Sequence, residues 1–341
     1  MIGSWLWIPA LASLGRNDQK QPMKRILTAL ALLMLAAPAI AQPYPNRTVS
    51  VIVPFPAGGS VDVVARLLVQ KLNEGMGANF IVENRAGGAG GAVGANAVAK
   101  AAPDGYTLMF TASIHIITPF INSKIPYDAV KDFAPVSLVA SGPLIVSTAL
   151  NVPANNLKEL FDLVRKAPDK YTFATSSYGS AGHLAVELLK RDAGVDTLVI
   201  AYKGAGPMLN DLMGGQIQLI ADPMASSLPL AASGKIKALA VTSTKRVAAA
   251  PDIPTIVESG MTGFDFSSWY GLWGPKGLPA DITAKLQAET AKALAQPEIR
   301  QKLGVLGFEA IGSTAAEFAK YIDDESAKYG QIVRDAKIKA E

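Results

Sequence analysis

The chain has 341 residues, half of them apolar, with 32 lysines and arginines against 28 aspartates and glutamates and no cysteine. The lack of cysteine excludes disulfides, thiolate chemistry and a lipid-modified cysteine. The first 41 residues contain four of the basic side chains and one of the acidic ones, so the remaining chain is close to neutral, which argues against a nucleic acid partner. A chain of this length and apolar content buries a large core and usually divides it between two domains.

The N-terminus has the pattern of a secretory signal peptide. Met23-Lys24-Arg25 is a short basic start, residues 26–35 are apolar, and Ala39-Ile40-Ala41 is a small-x-small cleavage site. We therefore predict an extension from a misassigned start codon at 1–22, a signal peptide at 23–41, and a mature protein that begins at Gln42 and has no lipid anchor. The apolar stretch is shorter than the ~20 residues of a membrane-spanning helix, so a retained anchor is the weaker interpretation.

Short β-branched runs then alternate with helical patterns, which is typical of an α/β fold. Strands are predicted at 48–53, 80–83, 106–111, 136–140, 144–148, 172–175, 197–201, 217–221 and 236–242. Helices are predicted at 61–72, 157–166, 208–213, 282–294 and 297–303, and from 314 to about 338.

Two extended segments are predicted to connect two lobes. Residues 133–150 contain two strands separated only by Ser141-Gly142-Pro143, so a strand there would run on into the next lobe. The aromatic-rich run 264–274 would carry the chain back. Two crossings imply a hinge and a discontinuous first lobe, at 42–141 plus 268–341, around a second lobe at 142–267. The terminal helices are predicted to pack on the first lobe.

Two similar loops carry the main functional signal. The segment PFPAGGSVD at 54–62 leads from the first strand through Gly58, Gly59 and Ser60 into an apolar helix. The first turn of a helix has backbone N–H groups without partners and about half a positive charge, so it can bind a small anion. A second strand–loop–helix follows at 172–192, with Gly179-Ser180 in place of Gly59-Ser60. The pair predicts two lobes that face one ligand.

Polar residues at later strand ends extend this predicted cleft. Tyr202-Lys203-Gly204 and Asp222 follow strands, and open α/β sheets bind ligands at the carboxyl ends of their strands. Lys203 also fits a solvated loop lysine, and Asp222 fits a helix cap or an acceptor for an ammonium or hydroxyl group. The serines of the two loops also fit helix caps: Ser60, Ser176, Ser177 and Ser180. Trp269 and Tyr270 fit hinge packing and a ligand wall equally.

The sequence lacks the common nucleotide, metal and hydrolase motifs. The glycine-rich run 84–96 does not match the dinucleotide fingerprint because Val93 stands at its last glycine position, and it fits a closely packed turn or a backbone approach to a ligand. His115 and His183 are the only histidines, and neither has metal-binding or catalytic spacing. We interpret His183 as a residue that packs or donates one hydrogen bond. We predict no cofactor, no metal site and no enzymatic activity.

Eight segments resemble those of one family: PFPAGGSVDVVAR at 54–66, VENRAGG at 82–88, AAPDGYTL at 101–108, YGSAGHLAVELL at 178–189, AYKGAGPMLNDLMGGQIQ at 201–218, LAVTSTKR at 239–246, PDIPT at 251–255 and WYGLWGPKGLP at 269–279. The chain resembles the Bug-type extracytoplasmic solute receptors, the substrate-binding proteins of tripartite tricarboxylate transporters. This resemblance implies a two-lobed type II periplasmic binding fold, a Venus flytrap with two hinge-crossing segments. It implies that the lobes close on a small organic acid and deliver it to a membrane permease. We expect a monomer in the periplasm.

In that family, backbone N–H groups and hydroxyls of the two βα loops hold the ligand carboxylate, with ordered waters. Carried over, the resemblance implies these ligand-binding residues: Ala57, Gly58, Gly59 and Ser60 in the first loop, Ser176, Ser177, Gly179 and Ser180 in the second, and Tyr202, Lys203, Gly204 and Asp222 nearby. Four residues depart from the family pattern: Ala86, Thr118, Trp273 and Lys276. The identity of the bound acid therefore stays open among dicarboxylates, citrate, amino acids and aromatic acids.

Three rival functions are considered, although the enzyme among them would need a proton-transfer pair that the sequence does not provide. They are a receptor of the same fold that signals to a sensor protein, a periplasmic enzyme, and an envelope scaffold. Pull-down with permease or sensor domains separates the first from a transport receptor. Turnover of a bound acid would indicate the enzyme, and the lack of any ligand would indicate the scaffold.

Overall fold

The computed structural model describes residues 44–262, 264–336 and 338, so the predicted extension at 1–22 and signal peptide at 23–41 lie outside the described residues. The strands in the described part are β1 Val49–Val53, β2 Phe80–Asn84, β3 Thr107–Ala112, β4 Phe133–Thr148, β5 Phe173–Thr175, β6 Val199–Ala201, β7 Leu219–Pro223, β8 Lys237–Val241, β9 Ser267–Pro275 and β10 Glu309–Ala310. The α-helices are α1 Ser60–Met76, α2 Ala92–Ala99, α3 Ile114–Ile121, α4 Leu157–Lys166, α5 Ala181–Ala193, α6 Ala205–Met213, α7 Met224–Ala232, α8 Ala280–Ala295, α9 Pro297–Val305 and α10 Ala315–Asp335.

The strands follow the order β2-β1-β3-β9-β4-β7-β5-β6, and β8 and β10 also pair with β4. In the first group, β1 is parallel to β2 and β3, and β9 runs antiparallel to β3 and β4. In the second group, β5 is parallel to β6 and β7, and β4 runs antiparallel to β7 and β8. Both groups place the carboxyl ends of their parallel strands, and the loops that follow, toward a common region.

The long strand β4 belongs to both groups. Its first part pairs with β9 as far as Pro143 opposite Ser267, and its second part pairs with β7 from Leu144 opposite Pro223. The sequence predicts two strands here, but the structure has one continuous strand of 16 residues. Pairing with β9 keeps the backbone extended through Ser141-Gly142-Pro143, and β10 also pairs with Ser141. The strand therefore runs on from the first strand group into the second, as the sequence predicts for this segment.

The terminal helices cover the first strand group. Helix α8 packs on α1 and β4, and α10 packs on β4 and α3. Trp269 of β9 is fully buried beside Phe318 of α10, with 5.7 Å between ring centroids, and its Nε1 donates a hydrogen bond to the Tyr329 hydroxyl at 3.0 Å. These contacts hold β9 against the C-terminal helix.

Local signals located some helices well and missed others. Helix α4 has its predicted bounds because the Asn156 side chain accepts a hydrogen bond from Glu159 N–H and basic residues occupy the last turn. Helices α2 and α3 were not predicted. The segment IHIITPFI of α3 is rich in β-branched residues and contains Pro119, which favours other structures. Burial of most of its side chains overrides that preference.

Among the described residues, no helix has both the length and the apolar character to span a membrane. The same part of the chain contains no cluster of three or more histidines and carboxylates that could hold a metal ion.

Candidate functional site

A cleft of about 900 Å³ is lined by both strand groups. The loops after β1, β2 and β3 contribute to one side, and those after β5, β6 and β7 contribute to the other. Eleven of the twelve predicted binding residues line it: Ala57, Gly58, Gly59, Ser60, Ser176, Ser177, Ser180, Tyr202, Lys203, Gly204 and Asp222. The structure therefore brings together residues that are up to 165 positions apart in the chain (from 57 to 222).

Gly179 is the predicted residue that does not line the cleft. Its φ is +73°, and a Cβ atom at this position would lie 2.5 Å from Cδ1 of Ile121 in α3. The glycine thus allows the second loop to turn and to approach α3 closely.

Six helices begin at the cleft, and their N-cap residues line it: Gly59 of α1, Gly91 of α2, Ser113 of α3, Ser180 of α5, Gly204 of α6 and Pro223 of α7. Ser180 caps α5 with its side chain, whereas the other five helices have no side-chain cap among the described residues. Unpaired first-turn N–H groups and the positive ends of the helix dipoles therefore face the same space, which favours an anion.

Asp62 shapes the first loop. Its carboxylate accepts hydrogen bonds from the Gly58 N–H at 3.0 Å, the Arg66 Nε at 3.0 Å and the Asn84 Nδ2 at 2.9 Å. Burial raises the pKa of this carboxyl, but the hydrogen bonds from Arg66, Gly58 and Asn84 outweigh burial and lower it. The N–H of Gly58 is therefore already paired, and Gly59 and Ser60 present the available donors of this loop.

Sequence reasoning missed the role of Asp62. The signal was present, because an acidic residue at the third helical position commonly reaches back to a backbone N–H before the helix, as in a capping box. Here the bond goes one residue further back, to Gly58.

Ser180 organises the second loop mainly as a helix cap. Its Oγ accepts a hydrogen bond from the His183 N–H at 3.1 Å and lies 2.7 Å from the Thr175 Oγ1. The Nδ1 of His183 accepts a hydrogen bond from the Gly179 N–H at 3.1 Å. Burial and the nearby charge of Lys190 lower the pKa of His183 to about 4, so the ring is neutral at pH 7. His183 packs as predicted, but it accepts this hydrogen bond where the sequence suggested a donor.

The loop after β6 is tied to the second loop. The Gly204 N–H donates to the Ser176 carbonyl at 2.8 Å, and the Tyr202 hydroxyl donates to the Asp211 carboxylate at 2.6 Å. Burial and the hydrogen bond to Asp211 raise the pKa of Tyr202 to about 12. Lys203 is exposed and makes no ion pair within the described chain, so its ammonium group is available at the cleft.

Asp222 is 1% exposed and lies at the inner end of the cleft. Its Oδ2 accepts hydrogen bonds from the Ser227 hydroxyl at 2.9 Å and from the Ser226 hydroxyl. Burial raises the pKa of this carboxyl to about 6, although both hydroxyls lower it. The Ser226 Oγ also lies 3.3 Å from the Ser60 Oγ, so this cluster joins the α1 and α7 sides of the cleft.

Ser268 of β9 lines the cleft and was not predicted as a binding residue. Of the two residues for which the sequence left hinge packing and a ligand wall open, Tyr270 lines the cleft and Trp269 does not. Tyr270 also packs against Phe110 and Phe308, with centroid distances of 6.5 and 5.0 Å. The glycine-rich turn also reaches the cleft. A Cβ at Gly91 would lie 2.7 Å from the Pro54 Cβ, so this glycine permits close packing on the first loop.

A family model described as the tripartite tricarboxylate transporter family receptor matches residues 64–338. The chain belongs to this receptor family. Three solved structures resemble the receptor. The periplasmic binding protein BugD is 36% identical, with a TM-score of 0.83, and the match covers 87% of this chain and 100% of BugD. R. palustris Rpa4515 with adipate is 33% identical, with a TM-score of 0.85, and the match covers 87% of this chain and 100% of Rpa4515. MatC from Rhodopseudomonas palustris with bound malate is 33% identical, with a TM-score of 0.80, and the match covers 85% of this chain and 100% of MatC. The family prediction and the two-lobed periplasmic binding fold are confirmed.

The cleft of the receptor has few charges. In the described lining, Lys203 is the one cationic side chain and Asp222 the one carboxylate, while most other residues are small or apolar. Neutral donors at helix starts therefore provide most of the attraction for an anion, and a partly dry cleft strengthens each of these interactions.

Proposed function

We propose that this receptor captures a small organic acid in the cleft and delivers it to the membrane permease of a tripartite tricarboxylate transporter. The observation that carries the proposal is the convergence of six helix N-termini on one cleft, five of them without a side-chain cap among the described residues. Adipate on Rpa4515 and malate on MatC support a carboxylate as the ligand class.

The carboxylate is held between the two loops in this proposal. The N–H groups of Gly59 and Ser60 and the Ser60 hydroxyl act from one side, and the polar groups of Ser176 and Ser177 act from the other. Gly58, Gly179 and Ser180 shape the loops, because their polar groups or backbones are already engaged within the fold. Ala57, Tyr202 and Gly204 complete the wall, and Asp222 lies at its inner end.

Lys203 suits a second anionic group. It is exposed at the cleft, and a cation there would pair with the distal carboxylate of a longer acid or steer acids toward the opening. Such an exposed pair contributes about 0–1 kcal/mol, so the helix starts dominate the affinity.

The proposed setting of this function is the periplasm. A signal peptide at 23–41 would direct export, and the mature receptor, without a lipid anchor, would act as a monomer and as a carrier that does not transform its ligand. A lobe at 142–267 would close on the other lobe, formed by 42–141 and 268–341, through β4 and β9. Mass spectrometry of the periplasmic fraction tests the start at Gln42.

Ligand capture is tested by thermal unfolding of the chain from Gln42, refolded to remove carried-over ligand. A panel of mono-, di- and tricarboxylates, amino acids and aromatic acids is added, and a ligand at 100 times its dissociation constant stabilises the fold by about 2.7 kcal/mol. At least one acid is expected to raise the midpoint. A flat panel with verified refolding would contradict carboxylate binding.

Delivery is tested with proteoliposomes that contain the permease subunits. Labelled acid is expected to enter only when the receptor is present. Uptake that is independent of the receptor would contradict delivery while leaving ligand capture intact.

A further inference from the structure

Three buried side chains that line the cleft have an oxygen without a well-oriented hydrogen bond among the described residues: Ser113, Asp222 and Tyr270. Both hydrogen bonds to Asp222 go to Oδ2, from Ser226 and Ser227, and its Oδ1 accepts none. The Tyr270 hydroxyl is buried and makes no well-oriented hydrogen bond, although the Ser268 and Ser60 hydroxyls are close enough to lower its pKa. Asp222 and Tyr270 are each 1% exposed. Buried polar groups are nearly always paired in native proteins, so these two point to a ligand or water.

The two groups are connected through serine hydroxyls. Asp222 of β7 and Tyr270 of β9 pair with different parts of β4, opposite Ile145 and Ala140 respectively. Burial raises the pKa of Tyr270, the hydroxyls of Ser268 and Ser60 lower it, and the charge of Asp222 adds to the increase. Ser60 in turn lies 3.3 Å from Ser226, which donates to Asp222.

Asp222 does not act as the cap of the following helix, which is the simpler role that the sequence allows. Helix α7 begins one residue after Pro223 and has no side-chain cap among the described residues, so Asp222 does not cap it. The carboxylate also forms no ion pair within the described chain. A carboxyl group with a pKa near 6 is mostly ionised at pH 7, which leaves a buried negative charge and a free oxygen facing a cleft for anions.

This arrangement is chemically selective. A bare carboxylate at the inner end would be repelled by Asp222. A hydroxyl group can donate to Asp222 Oδ1 or accept from the Tyr270 hydroxyl, and an ammonium group can donate to either oxygen. A site built to hydrogen-bond such a group discriminates strongly against an analogue that lacks it, because its own buried groups stay unpaired.

We propose that Asp222 and Tyr270 form a specificity subsite for a hydroxyl or ammonium group carried by the organic acid, so that the receptor prefers hydroxy or amino acids to their unsubstituted counterparts. This inference rests on the proposed capture of a carboxylate. In this proposal, the loops after β1 and β5 bind the carboxylate of the ligand, and the subsite binds its hydroxyl or ammonium group.

The test compares three matched sets of acids by calorimetric titration of the refolded receptor: malate, aspartate and succinate; 2-hydroxyglutarate, glutamate and glutarate; and mandelate, phenylglycine and phenylacetate. In at least one set, the hydroxy or amino member is expected to bind about 5- to 150-fold more tightly than the unsubstituted acid. Equal affinities within every set would overturn the subsite but not the proposed function. No binding by any member would overturn the subsite, and the proposed function would be contradicted only if the wider panel of acids also gave no binding.

Two variants assign the preference to the subsite. Asp222→Asn removes the charge with little change in shape, and Tyr270→Phe removes only the hydroxyl. Each is expected to reduce the ratio of the affinities for substituted and unsubstituted acids at least threefold. The control is Ser233→Ala, at an exposed serine of the helix α7 C-terminus, which is expected to retain the wild-type affinity ratio. Circular dichroism verifies the fold of each variant. A wild-type ratio in folded Asp222→Asn or Tyr270→Phe would show that water alone occupies these groups and would overturn the proposal.

Discussion

The Asp62 carboxylate accepts a hydrogen bond from the backbone N–H of Gly58, with 3.0 Å between Oδ2 and the nitrogen. This bond joins the first turn of α1 to the loop that precedes it. The loop geometry presented to a ligand therefore depends on a side chain that does not itself line the cleft.

Replacing Asp62 by alanine is expected to destabilise the fold by about 1–3 kcal/mol, because Gly58, Arg66 and Asn84 lose a buried, charged acceptor. It should also weaken ligand affinity, since the first loop loses its support. Urea unfolding and calorimetric titration measure the two effects. Asp162→Ala is the control, at an exposed ion-paired aspartate of α4, and should change neither measurably. Unchanged affinity in Asp62→Ala would show that the loop holds its shape without this carboxylate.

Ser60→Ala tests the first loop as a ligand donor. Loss of the hydroxyl is expected to reduce affinity for the bound acid by about 1–3 kcal/mol, or about 5- to 150-fold, because the ligand loses a donor in a partly dry cleft. Titration of this variant beside Ser233→Ala separates a local effect from a general loss of hydroxyl groups. A dissociation constant equal to that of the control would remove Ser60 from the proposed site.

Gly179→Ala tests the close approach of the second loop to Ile121. A left-handed alanine costs about 1–2 kcal/mol and overpacking adds about 1–3 kcal/mol, so a loss of about 2–5 kcal/mol in unfolding free energy is expected. Gly194→Ala is the control, because Gly194 has a φ of +62° but no atom within 4 Å of an added Cβ. Gly194→Ala should therefore lose only the part of the unfolding free energy that comes from the left-handed backbone, about 1–2 kcal/mol.

Adding Ile121→Val to Gly179→Ala should recover the steric part, since valine lacks the Cδ1 atom that the new Cβ would meet. Urea unfolding of the single and double variants gives this coupling. Strictly additive effects would mean that the contact contributes nothing.

Asp222 should make the unliganded receptor more stable as the pH falls from 7 toward 4. Its folded pKa of about 6 lies above the unfolded value of 3.8, so the folded state binds more protons in this window. The stabilising contribution is complete below the unfolded pKa and is lost as the pH rises through about 6. It amounts to about 3 kcal/mol, and Asp222→Asn should lack it. Tyr270, the ionisable group that faces Asp222, stays protonated throughout, while Ser60, Ser226 and Ser227 do not titrate.

His115 should have the opposite effect. It is buried among Tyr127, Phe133 and Trp273, and burial lowers its pKa from 6.5 to about 4 despite a hydrogen bond to the backbone of Ala129. The unfolded state therefore binds its proton first, and about 3 kcal/mol of stability is lost as the pH falls from 6.5 to 4.

Urea unfolding at pH 7 and pH 4.5 compares wild type with His115→Gln. The variant should lose less stability on acidification than the wild type, whatever its stability at pH 7. A wild-type difference between the two pH values would contradict the buried neutral state of His115.

Local patterns predicted much of the site. The strand–loop–helix segments at 54–62 and 172–192 were identified because glycines, serines and apolar helix patterns lie within a few residues of each other, and short-range chemistry determines such turns. The same reasoning placed α4 at its observed bounds. It did not predict α3, because the preference of IHIITPFI for helix arises only when tertiary packing buries it.

The sequence by itself determined most of the elements, the two loops and the family to which this receptor belongs, because each depends on residues that are close in the chain or on whole motifs. The tertiary structure decided which polar groups remain available. Gly58 N–H is paired by Asp62, Ser180 is engaged as a cap, and Gly179 packs closely on Ile121. By contrast, Asp222 Oδ1 and the Tyr270 hydroxyl line the same cleft without a well-oriented hydrogen bond. The physical reason is that pairing and burial depend on neighbours contributed by distant segments, which β4 and β9 bring together.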